Sequence, residues 1–318
     1  MNRFFKLSAV VAAVVVAAPA FAAASMDANL ELDTKYKNEQ DGVKRGMSQG
    51  GRVEFNVAGK AGGANGFVAG RASLLLQKDG SADGASTDDM WGQIGTSFAD
   101  VKLGKFEAVE LFAVGKDVIV EDDNGMNHAR TNELRGRFGN SAAHFALTVN
   151  AAPGVSFELG LVETKAANAI KGVRPNVTFA AGPLAIKLGM ESGKFLGATA
   201  AGDVKFTGFG GVVSMPIAGG SVNFNFAQRT DKPAAGDLKH TAFGVMAIFG
   251  PAGFAYINDK DETAPGVSSK QNTIYAAYSL PLFATGATIT PAFSYSKSKQ
   301  DAGDGAATGV SVRLNYAF

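Results

Sequence analysis

Residues 27–36 read DANLELDTKY, and their alternation decides the fold class. Ala28, Leu30, Leu32, Thr34 and Tyr36 fall on one side of an extended chain, with Asp27, Asn29, Glu31, Asp33 and Lys35 on the other. A period of two sends successive side chains to opposite faces of a β-strand, so this segment reads as a strand with one apolar and one charged face. The pattern returns at 51–58, where Val53, Phe55 and Val57 oppose Arg52, Glu54 and Asn56, and at 310–318, where Val310, Val312, Leu314, Tyr316 and Phe318 oppose Ser311, Arg313 and Asn315. It recurs at 143–150, 184–190, 221–226 and 286–295, while no comparable stretch beyond the N-terminal segment has a helical period.

That segment has a different character. Residues 1–22 carry a basic start (Arg3, Lys6), an apolar run at 8–18 and small residues around Ala20 and Ala22. About eleven apolar residues fall short of the ~20 needed to span hydrocarbon, so the expectation is a secretory signal cleaved after Ala22, with 23–318 as one exported barrel domain. Composition narrows the rest. With 30 Lys+Arg against 29 Asp+Glu there is no basic excess for nucleic acid, and with no Cys there is neither a disulfide scaffold nor a thiolate metal site.

Connections between the strands come in two alternating sizes. Short ones such as Ala152-Pro153-Gly154 and Gly182-Pro183 trade places with longer polar stretches at 37–48, 78–88, 192–203, 230–238, 259–270 and 298–306. Turns on one rim and longer loops on the other predict an all-β fold, a transmembrane antiparallel β-barrel. Sixteen strands satisfy the even count that closure requires, provided 130–150 is one long strand bulged near Gly139. Lipid tolerates no unpaired backbone and few charges, so the apolar faces point outward. By that parity Arg52, Glu54, Arg71, Lys102, Lys187, Lys205 and Arg313 line a wet lumen, and Tyr36, Phe98, Phe179, Phe249, Tyr278 and Phe318 sit near strand ends as an interfacial girdle.

With the signal, the strand VSVRLNYAF ending in Phe318, and FADVKLGKFEAVELF at 98–112, the chain resembles the general porins of Gram-negative outer membranes. The resemblance implies a homotrimer of sixteen-stranded barrels in outer-membrane lipid, each with a third loop folded inward. It implies passive diffusion of ions and small hydrophilic solutes, and an assembly signal at Tyr316 and Phe318. It also implies a basic wall facing acids on that loop: Arg52, Lys105 and Arg130 match wall positions, and Asp117 and Glu121 have the spacing of the loop's acids. Two departures stand out. The family's Pro-Glu-Phe turn is missing, and strict alternation from Val101 and Leu103 turns Lys105 toward lipid unless Gly104 introduces a twist.

The residues themselves also support a constriction at 107–129. Acids including Glu110, Asp117 and Glu121 are interleaved there with Leu111, Phe112 and other apolar residues, which a purely solvated loop would not need. Arg71 and Arg135 are further candidate bases, Arg135 through its place in the 130–150 strand. Catalytic patterns are lacking: His128, His144 and His240 are far apart, no serine elbow or phosphate-binding lysine loop occurs, and no cofactor or metal is expected. Three functional readings remain open: a general diffusion pore, a barrel selective for sugars or small anions, and an exported β protein that forms no channel.

Overall fold

The computed structural model describes residues 24–39, 45–79, 82–113, 132–139, 141–264, 267–283, 286–300 and 303–318. The segment expected to be a signal lies outside them. Strands run in chain order as β1 (Ala24–Glu39), β2 (Arg45–Gly63), β3 (Gly66–Asp79), β4 (Ala82–Gly95), β5 (Ala99–Lys105), β6 (Ala143–Ala152), β7 (Val155–Glu163) and β8 (Ile170–Ala181). They continue as β9 (Leu184–Phe195), β10 (Val204–Ile217), β11 (Gly220–Lys232), β12 (Leu238–Phe249) and β13 (Ala252–Ala264). β14 spans Val267–Tyr278 and, after a break at Ser279, Leu280–Leu282; both pieces pair with β15 (Ala287–Gln300), which leads to β16 (Gly303–Ala317).

Each strand pairs antiparallel with its neighbours in sequence, and β1 pairs with both β2 and the last strand, which closes a sixteen-stranded barrel. Phe318 completes the seam. Its amide donates to the Ala28 carbonyl at 2.9 Å and its carbonyl accepts from the Ala28 amide at 2.8 Å. Tyr316 stacks on the Phe318 ring 5.3 Å away.

Polarity is inverted relative to a soluble protein. Leu188, Met190, Phe209, Phe224, Phe254 and Ile274 are exposed on the outside, whereas Asn56, Arg174, Glu191, Asn225, Gln271 and Ser294 are buried inside. Apolar residues facing out are stable only in hydrocarbon, and closure gives every strand amide a partner there. All six aromatics expected at the girdle are exposed, from 42% at Tyr36 and Phe179 to 62% at Phe98. A charge on this face is costly. Leu188→Arg, near mid-height on β9, should lower unfolding stability in lipid vesicles by about 2–4 kcal/mol; unchanged denaturant midpoints would place Leu188 away from lipid.

Three sequence expectations change. The long polar stretches are largely strand rather than loop: Lys37 pairs with Gly46, Lys78 with Asp83 and Lys299 with Asp304. Backbone pairing needs no apolar side chain, so hairpins continue above the membrane. The stretch 130–150 is not one strand, because β6 starts only at Ala143 and the described residues of 132–139 are irregular; the count of sixteen survives. Lys205 points outward, since its neighbour Phe206 is buried among interior residues; at the loop end of β10 the lysine lies beyond the apolar band.

Candidate functional site

The wall is low where the third long connection begins. β5, β6 and β7 have only seven, ten and nine residues, against nineteen in β2. The chain therefore leaves β5 part-way up and turns inward instead of rising over the rim. Phe106, the first residue beyond β5, is buried and stacks on inward-facing His144 with ring centroids 3.9 Å apart. Leu111 and Phe112 follow, both fully buried.

Phe112 crosses to the far wall. It packs with Ala227, Ala242, Met246, Ile257 and Tyr275, inward residues of β11 to β14. Beside it, the Ala113 amide donates to Asn225 Oδ1 at 2.9 Å, and Asn225 Nδ2 donates to the Ala113 carbonyl at 3.0 Å. An asparagine side chain carries both an acceptor and donors, so it grips a peptide group much as a neighbouring strand would.

The returning leg is held on β9. Glu191 accepts from the backbone amides of Glu133 at 3.1 Å and Leu134 at 3.3 Å, and pairs with Arg135 at 3.1 Å. The Arg135 guanidinium also donates to the carbonyls of Val109 and Met190 at 3.1 and 3.2 Å, and the Ala108 amide donates to the Arg135 carbonyl. Burial pushes the Arg135 guanidinium down to about 10, against the opposing pull of Glu191, so it stays charged at neutral pH. An added Cβ at Gly189 would lie 2.7 Å from Leu111 Cδ1 and 2.8 Å from Arg135 Nη2, so a larger residue there would displace the ends of both side chains. Leu134 packs with Val162 and Phe206, and Glu133 pairs with Arg229 of β11. The outgoing leg is thus fixed to β11 to β14 and the returning leg to β9, β10 and β11, so the described residues of both legs occupy the lumen.

Lumen charges come mostly in pairs. Arg52 meets Glu31 at 2.7 Å, Arg71 meets Glu54 at 3.2 Å and Asp89 at 3.5 Å, and Arg313 holds both oxygens of Asp33 at 2.8 and 3.0 Å. Arg174 pairs with Glu158 and lies 2.7 Å from His144 Nε2. On β11 to β13, Arg229, Asp231, His240 and Asp261 form a chain of contacts, with His240 Nε2 3.2 Å from Asp231 and Nδ1 2.8 Å from Asp261. Arg137 bonds Asp89 at 2.9 Å and reaches Glu107 at 3.2 Å. Among the described residues no group of three or more acids and histidines is arranged to hold a metal ion.

Of the residues nominated from sequence, Arg52 and Arg71 lie on the inner wall with 39% and 34% of their side chains exposed to the lumen. Arg135 is 2% exposed and lies in the loop rather than on a strand, so it acts as a strut and not as a pore-facing base. Lys105 is not brought to the basic wall. It pairs with outward-facing Met90, and its ammonium bonds the Thr87 carbonyl, even though Gly104 takes a φ of +116°. Glu110 is exposed on the outgoing leg. Arg130, Asp117 and Glu121 lie outside the described residues. Sequence reasoning missed Glu191, Asn225, Arg174 and Arg229. Strand parity puts each of them inside, but parity carries no sign of what an inward residue binds.

No family model and no curated protein matches the sequence. Solved structures do. In-vitro folded OmpT, an outer membrane protein of Vibrio cholerae in a trimer form, aligns over 93% of this chain and 100% of its own with a TM-score of 0.70 at 14% identity. The anion-selective porin from Comamonas acidovorans aligns over 93% and 99% with a TM-score of 0.69 at 15% identity. A multiple mutant of the Rh. blastica porin aligns over 93% and 100% with a TM-score of 0.57 at 13% identity. The fold of this chain is the fold of these porins.

Proposed function

We propose that the protein is an outer-membrane porin, a water-filled channel through which ions and small hydrophilic solutes diffuse down their gradients. One observation carries the reading: a closed sixteen-stranded barrel has its apolar side chains outside and its charges inside, with a loop drawn across the lumen. Such a wall is stable only between lipid and water, and sixteen strands leave an interior too wide for side chains to fill. The porin neighbours support the same assignment, and the trimer form named for OmpT supports a homotrimer.

In this reading a cleaved signal at 1–22 exports the chain, Tyr316 and Phe318 direct assembly from the closing seam, and no catalysis takes place. Many of the described wall's charges are paired locally, so in this reading the loop carries most of the ion preference. Arg52, Arg71 and Arg130 face Asp117 and Glu121 in the proposed eyelet, with Glu110 at its edge.

The test is electrical. Purified protein should form ohmic channels in planar bilayers, and absence of conductance would leave only the non-channel reading. Replacing two acids near a permeating ion changes its energy by about 1 kcal/mol at water-like screening. Asp117→Asn with Glu121→Gln should therefore lower the cation-to-anion permeability ratio about fivefold. Reversal potentials under a salt gradient measure this, and unmoved values would remove both acids from the eyelet.

A further inference from the structure

Between the constriction and the turn rim, the inner wall of β1 to β4 is hollowed. Ser25, Ala58 and Ala69 are small where larger inward residues would fill the space, leaving a recess of about 360 Å³ open to the lumen. Its edges are chemically distinct. Trp91 of β4 and Phe67 of β3 supply two aromatic rings, Lys60 of β2 an ammonium and Gln93 an amide, and among the described residues no carboxylate lines it. The Lys60 ammonium lies 4.5 Å from the centre of the Phe67 ring and, among the described residues, is paired with no acid.

Trp91 has a second cation behind it. Lys102 stands 4.0 Å from the indole centre, on β5, the neighbour of β4 away from β2 and β3. A cation on one face of an aromatic ring draws its electron density that way, so the other face repels an anion less. Lys102 also covers Phe106, at 4.8 Å, and so ties the recess to the root of the constriction loop. Asp100, a carboxylate beside this edge, is engaged by Gln93 Nε2 at 2.7 Å.

We propose that this recess binds small organic anions with a flat apolar body, aromatic carboxylates above all, and concentrates them on the turn side of the constriction. The flat body lies against Trp91 and Phe67, and the carboxylate takes the Lys60 ammonium. Acetate has the charge without the ring, phenol the ring without the charge, and glucose neither. Only benzoate satisfies both halves of the site. The proposal deepens the channel reading by naming a solute class for it.

Trp91 is the one tryptophan of the chain, so its fluorescence reports the recess directly. In detergent-folded protein, benzoate should change that emission saturably, whereas acetate, phenol and glucose over the same concentrations should not. Lys60→Gln should raise the benzoate midpoint about fivefold, the scale of a solvent-exposed ion pair, and Lys60→Arg should restore it. In bilayers, benzoate should produce brief current blocks that vanish in Trp91→Ala while ohmic conduction persists. Equal midpoints for benzoate and acetate, an equal response to glucose, or a Lys60→Gln midpoint at the wild-type value would overturn the proposal. A protein that never conducts would sink the channel reading alone, because the fluorescence titration needs no channel.

Discussion

Glu191→Ala should free the returning leg of the constriction loop and raise single-channel conductance with the barrel intact. The carboxylate holds three donors at once: the amides of Glu133 and Leu134 and the Arg135 guanidinium. Its removal leaves the buried Arg135 guanidinium without the carboxylate that it bonds at 3.1 Å. Breaking one side of such a pair costs about 3–5 kcal/mol, more than enough to make an undocked loop the dominant state. Strand pairing on β9 does not involve the Glu191 side chain, so folding into the barrel should survive. Heat-modifiable migration in a denaturing gel reports the barrel, conductance and current noise report the loop, and wild-type values for both would show that the pair does not hold it. Arg135→Ala should act in the same direction but more weakly, because Glu191 keeps the Glu133 and Leu134 amides.

Phe112→Ala should detach the other end. Phe112 is fully buried in a niche of β11 to β14 residues that exists whether or not the ring fills it. Truncating a buried Phe costs about 3–5 kcal/mol, and here the cost falls on docking, because the niche belongs to a wall that stands by its own hydrogen bonds. Asn225 still offers its two bonds to Ala113, so the loop should fluctuate rather than leave. The expected signature is flickering between two conductance levels, with the upper level near that of Glu191→Ala. The two anchors are coupled, because Arg135, the partner of Glu191, also bonds the outgoing leg at Ala108 and Val109, so the double variant should cost less than the sum of the two single ones. A double variant no different from either single one would show that the loop undocks as one rigid unit.

Closing the sheet depends on contacts remote in sequence. Asp33 and Arg313 meet at the β1–β16 seam from positions 280 residues apart. Each is legible in sequence as inward-facing, because Leu32 and Thr34 flank one, and Val312 and Leu314 the other. Their pairing is not legible, since it depends on register at a seam that no local pattern encodes. Lys205 shows the limit of parity itself. Near a strand end above the apolar band, either face meets water, so nothing in the pattern opposes an outward lysine. Arg135 shows another: read as part of a strand it becomes a wall base, but a chain turned into the lumen buries it.

Alternation alone determined that this chain forms membrane-spanning strands and, within the apolar band, which face of each meets lipid; the even strand count came from the requirement of closure. Those are consequences of a two-residue period and of the cost of unpaired backbone in hydrocarbon, and both act within a few residues. Only the tertiary structure decided where the loop lies and which acid neutralises which base, that Glu191 and Asn225 hold the loop, and that a hollow beside Trp91 opens to the lumen. These features arise when strands far apart in sequence face each other across a closed cylinder, and the distances between opposite walls exist only after closure.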